Sequence, residues 1–212
     1  SANPRSHLCQ MFRRRTSYGC PPKGYGDLAF VQHMLASLKD DGMLAVVVPH
    51  GVLFRGGAEG RIREAMLTAD VIEAVVGLAS NLFYGAGIPA AILVCRKAKP
   101  VDRRGKVLIV NGDATYTPGK AQNFLTDGHI RTLVDAAHGF ADIDKLARVV
   151  PVGEIAANGH NLNISRYVQT GADAEVVDVV AEVAKLQNLI AKRNEAEAVM
   201  FGHLRRLGYV PE

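Results

Sequence analysis

Two short apolar runs, Met43–Pro49 (MLAVVVP) and Ile88–Arg96 (IPAAILVCR), bracket the turn Asn81-Leu82-Phe83-Tyr84-Gly85. Each is too short and too rich in Val and Ile for a helix, and each stops at a breaker or a charge. Both are expected as fully buried strands of an α/β sheet. Between them, Gly60–Val76 carries Ile62, Met66 and Ile72 at intervals that suit a helix covering one sheet face. An aromatic pair at the mouth of a buried strand is where an α/β fold places a ligand. From the residues alone, Phe83 and Tyr84 either stack on something planar or pack as ordinary core and rim.

With 212 residues and 48% hydrophobic content, the chain can bury one domain plus an appendage. Aromatics are only 6% and Trp is absent, so that core is aliphatic. A net charge of +4 permits contact with nucleic acid without requiring it. The cluster Arg13-Arg14-Arg15 reads, by itself, as a solvated basic run. The cysteines Cys9, Cys20 and Cys95 show no CxxC spacing and leave one unpaired, which suits a reducing compartment. Cys95 sits inside an apolar run and is expected as a small core residue. The histidines show no metal-ligand spacing, so no metal is expected. Met43–Phe54 is broken by Pro49-His50-Gly51 and is far shorter than a bilayer requires. The expectation is a soluble, cytoplasmic protein.

Pro21-Pro22-Lys23-Gly24-Tyr25-Gly26 is a loop of breakers, after which Asp27 stands as a candidate N-cap for a helix over Leu28–Leu38. The order helix, strand, helix, strand then suggests parallel α/β units. Ala69–Leu78 reads as a helix end entering a strand, and Gly105–Val110 as another strand. Strands so closely spaced suggest antiparallel pairing at one edge of an otherwise parallel sheet. His129–Ala137 looks helical, while Val149–Ile155 and Asn161–Val168 look extended. Beyond Gly171 the composition is helical to about Arg206. Val176, Val179, Val183, Leu186 and Ile190 recur at alternating intervals of three and four, the spacing of a coiled-coil seam. That stripe suits either the chain's own domain or, our preferred reading for so long a terminal helix, a partner.

Four stretches in this order resemble the modification (M) subunit of type I restriction-modification systems, an adenine-N6 DNA methyltransferase. They are Tyr18–Leu35 (YGCPPKGYGDLAFVQHML), Gly42–Leu53 (GMLAVVVPHGVL), Leu82–Lys97 (LFYGAGIPAAILVCRK) and Asn161–Val168 (NLNISRYV). With Gln122–Ile130 (QNFLTDGHI) they cover most of residues 18–168. The resemblance implies the C-terminal half of a Rossmann-like methyltransferase fold, with a mixed sheet, over 18–168, followed by a helical tail over 169–212. It also implies S-adenosylmethionine as cofactor of the intact enzyme and DNA as substrate. A specificity subunit would dock on the tail from about Glu175, and a restriction subunit would join the full assembly.

Family members carry a glycine-containing cofactor loop in the half that precedes these stretches. Here Gly56-Gly57 and Gly85-Ala86-Gly87 lack the strand–turn–helix context of such a loop. The cofactor residues are therefore unknown, and this chain alone is expected to be inactive. The family's catalytic Asn-Pro-Pro-Phe is reduced to Asn3-Pro4, followed by Arg5-Ser6. One base deleted from codons such as AAC-CCG-CCG-TTC-TCA would produce this change. Residues His7 to about Arg15 would then be out of frame until a second shift near Thr16, and 1–17 would be an irregular remnant. Natural divergence is the alternative, and the codons of the gene separate the two.

An adenine amine is a poor nucleophile because its lone pair is delocalised into the ring. Acceptors for its two hydrogens draw the nitrogen toward tetrahedral geometry. By resemblance, Asn3 would supply a side-chain acceptor and Pro4 a backbone one. The base must first leave the duplex and be held by stacking, for which the resemblance assigns Phe83, with Tyr84 next in line. Asn161 and Asn163 are expected as turn and cap residues. Two other functions remain open: a non-catalytic DNA- or protein-binding remnant, and an unrelated α/β protein that holds another planar ligand against Phe83.

Overall fold

The computed structural model describes residues 16–169 and 179–209, the latter without the side chains of 179–181. Asn3, Pro4, Arg13–Arg15, Val176 and the out-of-frame segment as far as Arg15 lie outside the described residues. The chain divides into two units, 1–170 and 171–212.

In the first unit, α1 (Asp27–Ser37) leads to β1 (Met43–Pro49), a single 3-10 turn over His50–Leu53, and α2 (Gly57–Thr68). Then come β2 (Ile72–Gly77), β3 (Ala90–Arg96), β4 (Lys106–Val110), α3 (Asp127–Gly139), β5 (Ala147–Pro151) and α4 (Val152–Ala157). The sheet order is β1-β3-β2-β4-β5. Only β2 and β4 are parallel neighbours; β3 runs antiparallel to both β1 and β2, and β5 antiparallel to β4. Antiparallel pairing is thus the rule in this sheet, not a feature of one edge. The cause is the Leu78–Pro89 connection, which holds no helix to carry the chain back to the starting end of β2, so β3 returns alongside it.

Helix α2 ends at Thr68 because Asp70 turns the chain at φ +54°. Its carboxylate accepts from Lys99 Nζ at 2.5 Å and from the Gly105 N–H at 3.0 Å. Ile72 therefore opens a strand instead of continuing the expected helix. At the start of α1 the N-cap is Gly26; Asp27 is the first helical residue and pairs with Arg55 at 3.0 Å. Pro151 stops β5, and Val152–Ala157 is a helix instead of extended chain. Asn161–Val168 is not a strand either. The Asn163 N–H donates to Asn161 Oδ1 (2.8 Å), the Tyr167 hydroxyl donates to the Asn161 carbonyl (2.6 Å), and Ile164–Arg166 closes as a 3-10 turn. Asn161 is the turn residue expected.

β2 feeds two cores, its alternation shifted in phase by an irregularity between Ile72 and Ala74. Ile72 and Val75 of β2 join Leu28, Val31, Ile62 and Met66 on one face, while Ala74 and Val76 join Leu133 and Ala136 of α3 on the other. β2, flanked on both edges, is buried throughout. β1 is not the fully buried strand expected. It is the edge of the sheet among the described residues, with Leu44 and Val48 inside and Met43 and Val47 half exposed. Cys95 is a core residue as expected, and burial pushes its thiol up to about 12, which makes it inert at neutral pH.

The second unit holds α5 (Val179–Arg206). Val183, Leu186 and Ile190 stand exposed on it at the expected spacing. No helix among the described residues is long and apolar enough to cross a membrane.

Candidate functional site

β1, β2 and β4 run in one direction and end together at Pro49, Gly77 and Val110, where β3 begins at Ala90. In an α/β sheet, ligands bind in the crevice beyond such strand ends. The ends of β2 and β4 approach closely. The Gly112 N–H donates to the Gly77 carbonyl at 3.1 Å. A Cβ on Gly112 would strike that same oxygen, and one on Gly77 would lie 2.6 Å from Ile164 Cδ1. Gly112, facing backbone, demands glycine; at Gly77 the end of the Ile164 side chain would have to move.

The Phe83–Ala86 turn overhangs this edge. It closes through Ala86 N–H to Phe83 O at 3.1 Å, with Gly85 at φ +71°. Phe83 is 42% exposed and Tyr84 92%, so neither is core. Phe83 lines an apolar groove of about 180 Å³ with Val47, Pro49, Ala86, Ile88 and Pro89. Tyr84 does not line it and points to solvent. The two rings that sequence reasoning paired are thus placed differently.

His50 begins beside that groove. Its N–H donates to Pro89 O at 3.4 Å, and its ring stands edge-on to Phe54 with centroids 5.8 Å apart. Burial lowers the His50 pKa from its ordinary 6.5, and the nearby Asp113 carboxylate pulls it partly back. A depressed folded pKa means that the unfolded chain binds the proton first, so stability falls as pH drops through 6.5 toward the folded value. Urea midpoints at pH 7.5 and 5.5 should therefore converge in His50→Gln relative to the parent. An unchanged difference would mean that His50 titrates normally. Asp113 is itself held, its N–H donating to Asn111 Oδ1 at 3.1 Å. Asn111 Nδ2 donates to Val168 O at 3.2 Å, so the NLNISRYV stretch buttresses the end of β4.

Sequence reasoning missed a polar hub behind the turn that follows β1. Arg63, buried on α2, donates to the carbonyls of Val52 (3.0 Å), Arg55 (2.9 Å) and His160 (2.8 Å). Arg55 pairs with Asp27 and with buried Glu59, and its guanidinium lies 4.4 Å from the centroid of the Tyr25 ring. Burial raises the Glu59 pKa, and Arg55 opposes that shift. These contacts pin the Pro21–Asp27 loop to the cleft wall. Only the loop's aromatic and acidic residues hinted at such a role. Lys23 and Arg166 stand exposed. Among the described residues no group of His, Cys, Asp and Glu could hold a metal.

The family model for N-6 DNA methylases matches residues 4–176. The methylase subunit of type I restriction enzyme MjaVIII from Methanocaldococcus jannaschii is 36% identical over 196 residues, covering 90% of this chain and 33% of that protein. The HindI methylase subunit from Haemophilus influenzae is 31% identical over 210 residues, covering 92% of this chain and 46% of its own. The solved type I restriction-modification methyltransferase subunit from Streptococcus thermophilus superposes with TM-score 0.72 at 38% identity, over 78% of this chain and 36% of that one. The chain spans about a third of the length of the first two curated relatives it matches. Fold and sequence agree: the chain belongs to the N-6 DNA methylase family and is similar to part of the methylase subunits of type I restriction enzymes.

Proposed function

We propose that this chain is the base-binding and partner-docking part of an enzyme that methylates adenine N6 in DNA within a type I restriction-modification system. The observation that carries the reading is Phe83 at the lip of an apolar groove beside the end of β1 and the start of β3. A ring presented this way can stack on a base swung out of the duplex. Asn3 and Pro4 would accept the two amine hydrogens, leaving the nitrogen lone pair free to attack. Tyr84, further out, meets the flanking DNA. The exposed stripe Val183, Leu186 and Ile190 on α5 suits a helix of the specificity subunit, and the restriction subunit completes the assembly.

The methyl donor of such an enzyme is S-adenosylmethionine, and the resemblance assigns its glycine-containing loop to the half of the enzyme that precedes these stretches. The second reading, a non-catalytic remnant, is favoured by one observation: Arg5-Ser6 stands where the family has Pro-Phe.

Co-expression separates the two. The chain alone should take up no S-adenosylmethionine in calorimetry and transfer no labelled methyl to DNA. Together with the cofactor-binding part of a type I methylase subunit it should produce N6-methyladenine. Silence in the pair would favour the remnant. Micromolar binding by the chain alone would place the cofactor site in residues read here as scaffold.

A further inference from the structure

The Gln122–Ile130 stretch carries part of the family resemblance but has no role in the chemistry above. Its location suggests one. Thr117 and Phe124 exchange backbone hydrogen bonds (2.9 and 3.0 Å) and form a small hairpin whose tip is Ala121–Asn123. The tip lies against Ser80–Leu82, the segment that runs directly into Phe83. The Asn123 N–H donates to Asn81 O at 2.8 Å, and Asn123 Nδ2 donates to Ser80 O at 2.9 Å. In return Asn81 Nδ2 donates to Ala121 O at 3.3 Å, with a longer contact of 3.5 Å from Gln122 Nε2 to Leu82 O.

The remainder of the stretch anchors this tip. Leu125 packs on the core beneath α3, against the cluster that contains Leu133 and Ala136. The Thr126 N–H donates to His129 Nδ1 and the His129 N–H to Thr126 Oγ1, both at 3.3 Å, a capping box that starts α3. Asn123 is therefore mounted on a fixed base. Asn81 sits at φ +56°, a backbone state that Asn adopts far more readily than most residues.

We propose that Asn123 and Asn81 form a clasp that holds the Phe83 turn in its stacking position, making Asn123 a positioning residue for base capture. The proposal rests on the reading of Phe83 as the stacking face. The physical reason is preorganisation. The turn itself is closed by the Ala86 N–H to Phe83 O bond, with Phe83 partly exposed at the groove and Tyr84 facing solvent. A loop held in that way is mobile unless its flanks are tied, and a ring that must be ordered on binding loses affinity to the ordering entropy. One flank enters β3 beside His50; the clasp ties the other.

Hydrogen exchange on the chain, with binding of a single-stranded oligonucleotide carrying 2-aminopurine, tests this. In Asn123→Ala the Ala86 amide should exchange about tenfold faster, while the amides of β2 keep their protection. The oligonucleotide should bind about three- to tenfold more weakly to Asn123→Ala, and Phe83→Ala/Asn123→Ala no more weakly than Phe83→Ala alone, because the clasp acts through that ring. Unchanged exchange at Ala86, or losses that add in the double variant, would overturn the clasp. Phe83→Ala binding like the parent would instead sink the base-stacking reading, and the exchange result alone would then decide the clasp. Asn81→Gly keeps the left-handed backbone while removing the reciprocal bond, so it yields the same comparison if Asn123→Ala fails to fold.

Discussion

Arg63→Ala is expected to lower stability by about 3–5 kcal/mol, read as a fall in the urea midpoint with unchanged slope. Arg63 is 3% exposed, and its guanidinium satisfies carbonyls from three separate segments: the turn after β1, the loop entering α2, and the His160 turn. Alanine would leave those carbonyls buried without donors and open a cavity among them. Burial lowers the Arg63 pKa and Glu59 raises it, so the group stays charged at any working pH. Arg63→Lys should recover only a small part, because a single ammonium cannot reproduce the planar fork that reaches all three oxygens. A loss below about 1 kcal/mol would mean that water enters and replaces the guanidinium. The consequence extends to the site. Val52 and Arg55 belong to the segment that carries His50 and Phe54, so loosening it should blur the cleft wall before the domain unfolds.

Phe83→Ala should lower kcat/KM for DNA methylation by the reconstituted enzyme about 5- to 150-fold, the equivalent of about 1–3 kcal/mol of stacking on one base. Because the ring is 42% exposed, truncation should cost less than about 1 kcal/mol of folding stability, so the activity loss is not an unfolding effect. Tyr84→Ala is the comparison, for a ring that meets DNA outside the groove. Its ring is 92% exposed and takes no part in the groove, so its effect should be within about threefold. Phe83→Tyr should be nearly silent, and Phe83→Leu should fall between, keeping bulk but losing the π-face. Equal losses in Phe83→Ala and Tyr84→Ala would mean that the shape of the turn matters and the ring does not.

Elements whose signal is local were legible in the chain. Leu28, Val31 and Leu35 mark α1 by helical spacing, and Val107–Val110 is an apolar run within a strand. The turn that carries Phe83 was legible too, because Phe-Tyr-Gly lies between two apolar runs of strand length. Some errors came from short segments on which neighbours act. Asp70 ends α2 through bonds to Lys99 and Gly105, which lie far along the chain. Asn161 folds its segment into a turn where the Val- and Ile-bearing pattern suggested extension.

By itself the sequence determined the α/β class, the positions of most strands and helices, and the family, because periodicity, breakers and motif order are written along the chain. Only the tertiary structure decided that β3 lies between β1 and β2, that Tyr84 turns away from the groove, that Arg63 binds three loops together and that Asn123 meets Asn81. Each of these depends on segments distant in sequence meeting at hydrogen-bond or van der Waals range, and that proximity follows from the packing of the sheet and helices as a whole.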